Sequence, residues 1–344
     1  MIIQESSKDE FHDLTKSNSR KISWNKTQEM RLQGYKAIAL HVHSLYSDDV
    51  PPKEKNKPLN LIKRGQDSGL DYIVITDHDN NHAWQSVSEK PEEWLQGVEM
   101  EVNDERIGHP IHLGTHNFKS DDDFYTLHEI AHEQNDAYKY IETAKEKGMT
   151  IIANHPWWIP KGHRINPKAI WELIRYFKLP VELNSKRSCI ENIATRIMAE
   201  RYNLPIIAAT DTHTASIGPA CTLVKGDTID EIFRNIEKGD TYYVAGSATP
   251  MSIASMITEY CLDVIHSEKM KEKGPINLQS GIKLIDHLLK KISQGYFEKY
   301  EALRYPAGIL SSAITMLGSV LLYLPSAYIN SGIKVGLGMQ SIAK

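Results

Sequence analysis

Histidine is the residue type whose placement in this sequence most clearly suggests chemistry. Twelve of the fifteen histidines lie between His41 and His213. His41 and His43 end a short apolar segment, and residues i and i+2 of a strand face the same side, so both imidazoles should point at one place. Asp48 and Asp49 follow in the next loop, where a carboxylate could complete a site with the two rings. The pattern predicts a metal centre at the end of this strand.

Further polar residues follow or interrupt other apolar segments. A glutamate buried in an apolar strand without a partner would cost several kcal/mol, so a neighbouring cation is the simplest account of Glu99. Glu101 has the same parity along the strand and remains a rival. Because barrel sites are assembled at the carboxyl ends of parallel strands, these residues should converge. They are Asp77, His78 and Asp79, then Glu99 and Glu101, then His109 and His112, then His155, and finally Asp211 and His213.

The elements that must position these residues alternate between about residues 36 and 246. Short apolar runs predict strands at 36–42, 71–76, 97–102, 110–114, 150–154, 180–184 and 205–210. Longer amphipathic runs predict helices at 59–68, 122–147, 167–177, 191–202 and 228–238. This alternation is typical of an α/β fold with a parallel sheet, and about seven strands favour a barrel over an open sheet.

The two ends of the chain differ from this middle region. Residues 1–35 are polar and predict a flexible N-terminal arm, residues 36–250 form the predicted barrel, and residues 251–344 predict a helical C-terminal unit. Within that unit, residues 307–324 are nearly all apolar or small, which is long enough for a marginal membrane helix. Serines, glycines and a proline make such an anchor poor, so we favour a lid or dimerisation element.

Composition excludes several classes of protein. A net charge of −4 gives no general attraction for nucleic acid, so double-stranded nucleic acid is not an expected partner. Cys189, Cys221 and Cys261 are too few and too widely spaced for a disulfide framework or a cysteine-based zinc site. A cytoplasmic location is therefore expected, with membrane contact through the C-terminal segment as the alternative.

The ordered motifs resemble those of the PHP (polymerase and histidinol phosphatase) family. They are His41-x-His43-x4-Asp48, Thr76-Asp77-His78, Gly97-Val98-Glu99, Gly108-His109, Asn154-His155-Pro156 and Asp211-x-His213. The resemblance covers roughly residues 36–246 and implies a distorted seven-stranded (β/α)7 barrel, followed here by a C-terminal helical extension. It also implies two or three divalent metal ions, zinc, manganese or iron.

Carried over by motif, the resemblance implies a ligand set for each cation. One would be held by His41, His43, Glu99 and Asp211, a second by Glu99, His109 and His155, and a third by Asp48, His78 and His213. Asp48, Glu99 and Asp211 are the expected catalytic carboxylates. His109 is favoured over His112 because its distance to Gly114 matches the family pattern better.

Positive charge near the strand ends could recognise phosphate. Lys161 and Arg164 follow His155, and Lys186 and Arg187 follow the predicted strand 180–184. Trp157 and Trp158 could stack on a base, or could simply pack at the rim.

We therefore expect a metal-dependent phosphoesterase acting on a small phosphorylated substrate such as a phosphate monoester or short nucleotide. Hydrolysis of a non-phosphate ester or amide is one alternative. A metal-stabilised scaffold, with a helical tail that docks to a membrane, a partner or a second copy, is the other.

Overall fold

The computed structural model describes residues 19–158, 166–214, 217 and 220–249, with nine isolated positions between 252 and 340. Ten strands occur in this part of the chain: β1 (Arg20–Lys21), β2 (Lys36–Val42), β3 (Tyr72–Ile75), β4 (Trp94–Val102), β5 (Ile111–His116), β6 (Thr150–Ala153), β7 (Val181–Asn184), β8 (Ile206–Ala209), β9 (Cys221–Val224) and β10 (Thr241–Val244). The α-helices are α1 (Thr27–Leu32), α2 (Pro58–Asp67), α3 (His82–Gln85), α4 (Asp121–Glu129), α5 (Ala137–Glu146), α6 (Pro167–Phe177), α7 (Cys189–Tyr202) and α8 (Ile229–Lys238). The 3-10 helices Trp24–Lys26 and Glu54–Asn56 and the π-helical turn Ile130–Gln134 complete the described elements.

The strands form one mixed sheet in the order β1-β10-β9-β2-β3-β4-β5-β6-β7-β8. The pairs β2–β3, β3–β4, β6–β7 and β7–β8 are parallel. β5 is antiparallel to both β4 and β6, and β9 is antiparallel to both β2 and β10. The protein is thus α/β as predicted, but the predicted count of seven strands was wrong, since the described residues form ten.

The seven strands predicted from the sequence correspond to β2 through β8. β1, β9 and β10 were not predicted, and β1, with only two residues, is too short for a readable apolar period. Just beyond the strand ends, the N–H of Asp211 donates to the His41 carbonyl at 3.1 Å and the N–H of His43 donates to the Thr212 carbonyl at 2.9 Å. These bonds join the two ends of the run from β2 to β8.

Local sequence explains most helix boundaries. The Ser188 hydroxyl and the Glu191 carboxylate form a capping box at the start of α7, and Asn166 caps α6 ahead of Pro167. The single helix predicted over 122–147 is instead α4, the π-helical turn and α5, separated by Asn135 in the left-handed conformation with φ of 52°. Asp136 then caps α5, so the polar pair restarts the helix.

The chain termini are described only in part. Within the predicted N-terminal arm, residues 20–32 contribute β1, a 3-10 helix and α1, and Met30 is buried against the sheet. At the other end, Val335 and Met339 pack against the largest hydrophobic core, which includes residues of β4–β7 and α5–α7. The apolar segment 307–324 lies outside the described residues. Among those described, no helix combines the length and apolar character needed to cross a membrane.

Candidate metal centre

Strand β2 brings two imidazoles to one point. His41 lies in the strand and His43 follows it directly, and both are buried. Because alternate residues of a strand face one side, their Nε2 atoms approach to 2.9 Å. A single cation could contact two imidazole nitrogens that lie this close together.

Glu99 of β4 is the centre of the cluster and is fully buried. Its Oε2 lies 3.1 Å from His41 Nε2, 3.3 Å from His43 Nε2 and 3.2 Å from His78 Nδ1. Its Oε1 lies 3.0 Å from His155 Nε2 and accepts a 2.9 Å hydrogen bond from the Asn154 amide. Oε1 and Oε2 of Glu99 therefore face different side chains, which is the arrangement that a carboxylate shared between two cations requires.

Asp211 and His155 approach the same centre from neighbouring strand ends. The Asp211 Oδ1 atom lies 3.5 Å from His41 Nε2 and 3.4 Å from His43 Nε2. Both Asp211 and His155 have positive φ angles, 51° and 26°, a conformation that costs energy for residues other than glycine. Strain of this kind occurs where the surrounding structure holds a side chain for function.

His112, and not the favoured His109, contacts the central carboxylate. The His112 Nδ1 atom lies 3.3 Å from Glu99 Oε1, and its Nε2 lies 3.5 Å from Glu101 Oε2. His109 precedes β5 and its Nδ1 lies 2.7 Å from the Pro110 carbonyl oxygen. The physical reason is the antiparallel pairing of β4 with β5, which sets His112 opposite Glu101 and diagonal to Glu99.

Asp49 is the aspartate whose carboxylate contacts the histidines of the next group. Asp49 Oδ2 lies 2.7 Å from His213 Nε2 and 3.5 Å from His78 Nε2, whereas Asp48 is exposed. The two adjacent aspartates are the central residues of the turn in which the N–H of Val50 donates to the Ser47 carbonyl, and their side chains leave this turn in different directions. The structure thus brings together seven of the nine predicted ligands and substitutes Asp49 and His112 for the other two. The seven are His41, His43, His78, Glu99, His155, Asp211 and His213.

Glu182 of β7 is a buried carboxylate that the sequence analysis did not assign to the site. Its Oε1 lies 2.8 Å from His41 Nδ1, and its Oε2 accepts a 2.8 Å hydrogen bond from the N–H of His155. The Asn184 amide donates to both Glu182 and Asp211, at 3.3 and 2.9 Å. When His41 donates from Nδ1, its Nε2 is left as the ligating atom, so Glu182 fixes the tautomer and the orientation of the ring.

A second buried carboxylate orients the loops. Asp77 accepts hydrogen bonds from both the N–H and the hydroxyl of Ser44, each at 2.6 Å.

Glu182 could have been found from the signal that identified Glu99, an acidic residue embedded in an apolar strand.

Burial and ion pairing have opposite effects on the pKa values of the clustered side chains. Burial would lower the pKa of His41, but the neighbouring carboxylates, Glu99 first, outweigh it and raise the pKa well above its usual value. Burial would raise the pKa of Glu99, but the surrounding imidazoles, His41 first, hold the pKa well below its usual value. At His155, burial and then the Arg187 charge lower the pKa to about 4. Ionised carboxylates and a neutral imidazole are the forms that bind cations.

The donor set fits divalent metal ions. Within the described residues, four overlapping groups each bring their ligand atoms within 4.8 Å of one another. They are His43, Asp49, His78 and His213; His41, His43 and Glu99; His41, His155 and Asp211; and His78, Glu99 and His112. Glu99 Oε2 and both ring nitrogens of His112 are buried without a hydrogen-bond partner in this part of the chain, as expected of atoms arranged to contact cations. Imidazole and carboxylate ligands suit zinc, manganese or iron.

Two of the four basic residues predicted to bind phosphate, Arg187 and Lys186, lie beside the candidate metal centre. Arg187 Nη2 is 3.7 Å from Asp211 Oδ2, and its guanidinium lies 5.9 Å from the centre of the Trp158 ring. Trp158 in turn packs on His112 at 4.3 Å between ring centres. Lys186 is half-buried beside Arg187, and burial lowers its pKa. Lys161 and Arg164 lie outside the described residues.

Comparison with known proteins provides one match to a protein family. Residues 190–241 match the family model described as PHP-associated, a span that includes Asp211 and His213. No curated protein matches the sequence.

Several solved structures resemble the chain at low identity. PsfC from Pseudomonas syringae PB-5123 has 15% identity and a TM-score of 0.48, with 65% of this chain and 96% of that one covered. A two-domain protein from Bacteroides vulgatus ATCC 8482, described as containing a predicted PHP-like metal-dependent phosphoesterase, has 16% identity and a TM-score of 0.45, covering 65% and 70%. An amidohydrolase from Chromobacterium violaceum has 14% identity and a TM-score of 0.41, covering 58% and 95%.

Proposed function

We propose that the chain is a metal-dependent phosphoesterase of the PHP type that hydrolyses a small phosphate monoester or a short nucleotide, as the match of residues 190–241 to the PHP-associated family model supports. The observation that carries this proposal is the placement of Glu99, whose two oxygens face five imidazoles from four separate segments of the chain. A buried carboxylate shared in this way supports a cluster of two or three cations. Bound cations would activate a water molecule and stabilise charge on the phosphoryl oxygens.

Three groups of residues would hold the cations. His41, His43, Glu99 and Asp211 would bind one, Glu99, His112 and His155 a second, and Asp49, His78 and His213 a third. Glu182 would orient His41, and its hydrogen bond to the N–H of His155 would fix the second group relative to the first.

Arg187 is the residue best placed to bind the phosphate group. Its side chain is 27% exposed, and Nη2 lies 3.7 Å from Asp211 Oδ2, beyond ordinary hydrogen-bond distance. A guanidinium with an unused donor next to a cluster of cations can bind a phosphate oxygen without first breaking another bond. Trp158 flanks this position and would pack on the organic part of the substrate.

The proposal is tested by assaying the metal-loaded protein on phosphate monoesters and nucleotides, beside non-phosphate esters and amides. We expect hydrolysis of phosphoesters only, and a higher KM in Arg187→Ala with metal content unchanged. Arg196→Ala removes an exposed arginine of α7 and serves as the matched control. Hydrolysis confined to non-phosphate esters or amides, with Arg187→Ala equal to wild type, would refute a phosphate substrate.

A further inference from the structure

The π-helical turn Ile130–Gln134 directs His132 at the loop that carries His78. His132 Nε2 lies 3.2 Å from Asp79 Oδ1, and Asp79 is the residue after His78. We propose that His132 is a positioning residue for the metal centre: with Asp79 it holds the loop after β3 against β4 and so fixes His78. The inference concerns the metal centre of the proposed function and is independent of the substrate.

Asp79 extends the pairing of β3 with β4 beyond the end of the strand. The ladder itself ends at the pair Ile75 and Gln96. Past it, the N–H of Asp79 donates to the Glu99 carbonyl at 3.0 Å, and Asp79 Oδ1 accepts the N–H of Glu101 at 2.8 Å. The Asp79 side-chain oxygen thus takes the place of a β3 carbonyl and adds one further hydrogen bond to β4.

The conformation that allows this is strained. Asp79 has a φ of 51°, in the left-handed region, which costs energy for residues other than glycine, although aspartate tolerates it better than most. Such a conformation persists only where neighbouring groups hold it. Asp79 is held by its backbone and side-chain hydrogen bonds to β4 and by the contact of its carboxylate with His132. The hydrogen bond to Asp79 also raises the pKa of the His132 imidazole.

The helix geometry is suited to this contact. A π-helical turn adds a residue to the helix and rotates the side chains that follow it, and such turns are frequent at functional sites. Here the turn comes between α4 and α5, and Asn135 ends it in the left-handed conformation. His128 lies beside His132 on the same helical stretch, with 4.4 Å between ring centres and the ring planes tilted by 48°, and His132 alone of the two contacts Asp79 in the described structure.

The consequence reaches the cations through His78. Its Nδ1 lies 3.2 Å from Glu99 Oε2 and its Nε2 lies 3.5 Å from Asp49 Oδ2, so it belongs to two of the candidate ligand groups. A loop released from β4 would move this one imidazole away from both groups. The remaining ligands lie on other strands and would be retained.

The test compares three variants. His132→Ala removes the contact, His132→Gln keeps an N–H donor at a similar reach, and His128→Ala removes an imidazole of similar exposure on the same helical stretch. Hydrogen–deuterium exchange of residues 76–82 and 99–102 is measured in metal-free protein. Titration with Mn²⁺ or Co²⁺ alone, followed for Co²⁺ by its visible absorption, measures binding and coordination.

We expect the amides of the 76–82 loop to exchange at least about fivefold faster in His132→Ala, the loss corresponding to one hydrogen bond. Metal should bind about 10- to 100-fold more weakly at one of the sites, with an altered Co²⁺ spectrum. His132→Gln should restore most of both properties, and His128→Ala should match wild type.

Unchanged loop exchange in His132→Ala, or equal effects of His132→Ala and His128→Ala, would overturn the assignment. A wild-type protein that binds no metal would refute the proposed function instead, and the exchange measurement in metal-free protein would still decide the role of His132.

Discussion

Glu182→Gln tests whether the centre is held by its surroundings as the structure indicates. The substitution keeps the size of the side chain but replaces one acceptor oxygen by an NH₂ group. The two oxygens face His41 Nδ1 at 2.8 Å and the N–H of His155 at 2.8 Å. Whichever way the amide turns, its NH₂ group therefore meets another donor. If it meets His41, that ring can respond only by moving its proton to Nε2, the atom that faces Glu99.

The magnitude follows from these contacts. A buried donor without an acceptor costs about 1–3 kcal/mol, and each kcal/mol lowers the Tm of a domain of this size by about 2–4 °C. The metal-free variant should thus unfold roughly 2–12 °C below wild type. Loss of the group that orients a histidine ligand typically weakens metal binding about 10- to 100-fold.

The assay combines calorimetry of metal-free protein with a competition titration using a chromogenic chelator. Glu200→Gln, at an exposed position of α7 that pairs only loosely with Arg196 at 3.9 Å, is the control and should match wild type. A Glu182→Gln protein with wild-type Tm and wild-type metal affinity would refute the role of Glu182 in orienting His41.

Three further predictions concern other parts of the structure. His112→Ala should lower the number of bound metal ions measured by elemental analysis, whereas His109→Ala should not; the reverse result would restore the ligand expected from the sequence. Asp104→Asn should lower the Tm at pH 7, because hydrogen bonds from Arg106 outweigh burial and hold the pKa of Asp104 below its usual value. That contribution is present above the unfolded pKa of about 4 and is lost as the pH falls through the folded pKa, so wild type and variant should converge in acid. Gly114→Ala should cost about 1–3 kcal/mol in denaturant unfolding, because its Cβ would lie 2.8 Å from the oxygen of the amide that binds the central glutamate; an unchanged midpoint would contradict this packing.

The sequence predicted the location of the centre because the chemistry follows strand ends. β2, β3, β4, β6 and β8 are each largely apolar and buried, and a ligand-type residue stands inside the strand or within three residues after it. Parallel strands carry their carboxyl ends to one edge regardless of the details of the loops. Strand identity alone was therefore sufficient to bring seven ligands together.

The choice between neighbouring candidates, such as His109 and His112, depends on local geometry that no periodicity encodes. β5 was treated as another parallel strand, which left the distance to Gly114 as the means of ranking His109 against His112. In the structure it runs antiparallel, so His112 and Gly114 stand opposite Glu101 and Glu99. The absence of a side chain at Gly114 is what lets the Asn154 amide reach Glu99. Asp48 and Asp49 differ only in which side of a turn they face.

Histidine content was also an imperfect guide, because not every histidine of the cluster belongs to the centre. His116 is buried against Phe233 with 5.7 Å between ring centres, and burial lowers its pKa to about 3. It is a neutral core residue although it lies in the same strand as His112. Glu182 shows the converse, since an acidic residue in an apolar strand gives the same sequence signal as Glu99. The two glutamates differ in the ring nitrogen that they contact. Glu99 faces Nε2 of His41, while Glu182 faces Nδ1 on the other side of the same ring. A buried strand carboxylate therefore predicts membership of such a site, and the imidazole nitrogen that it contacts decides whether it can bind a cation or orient a ligand.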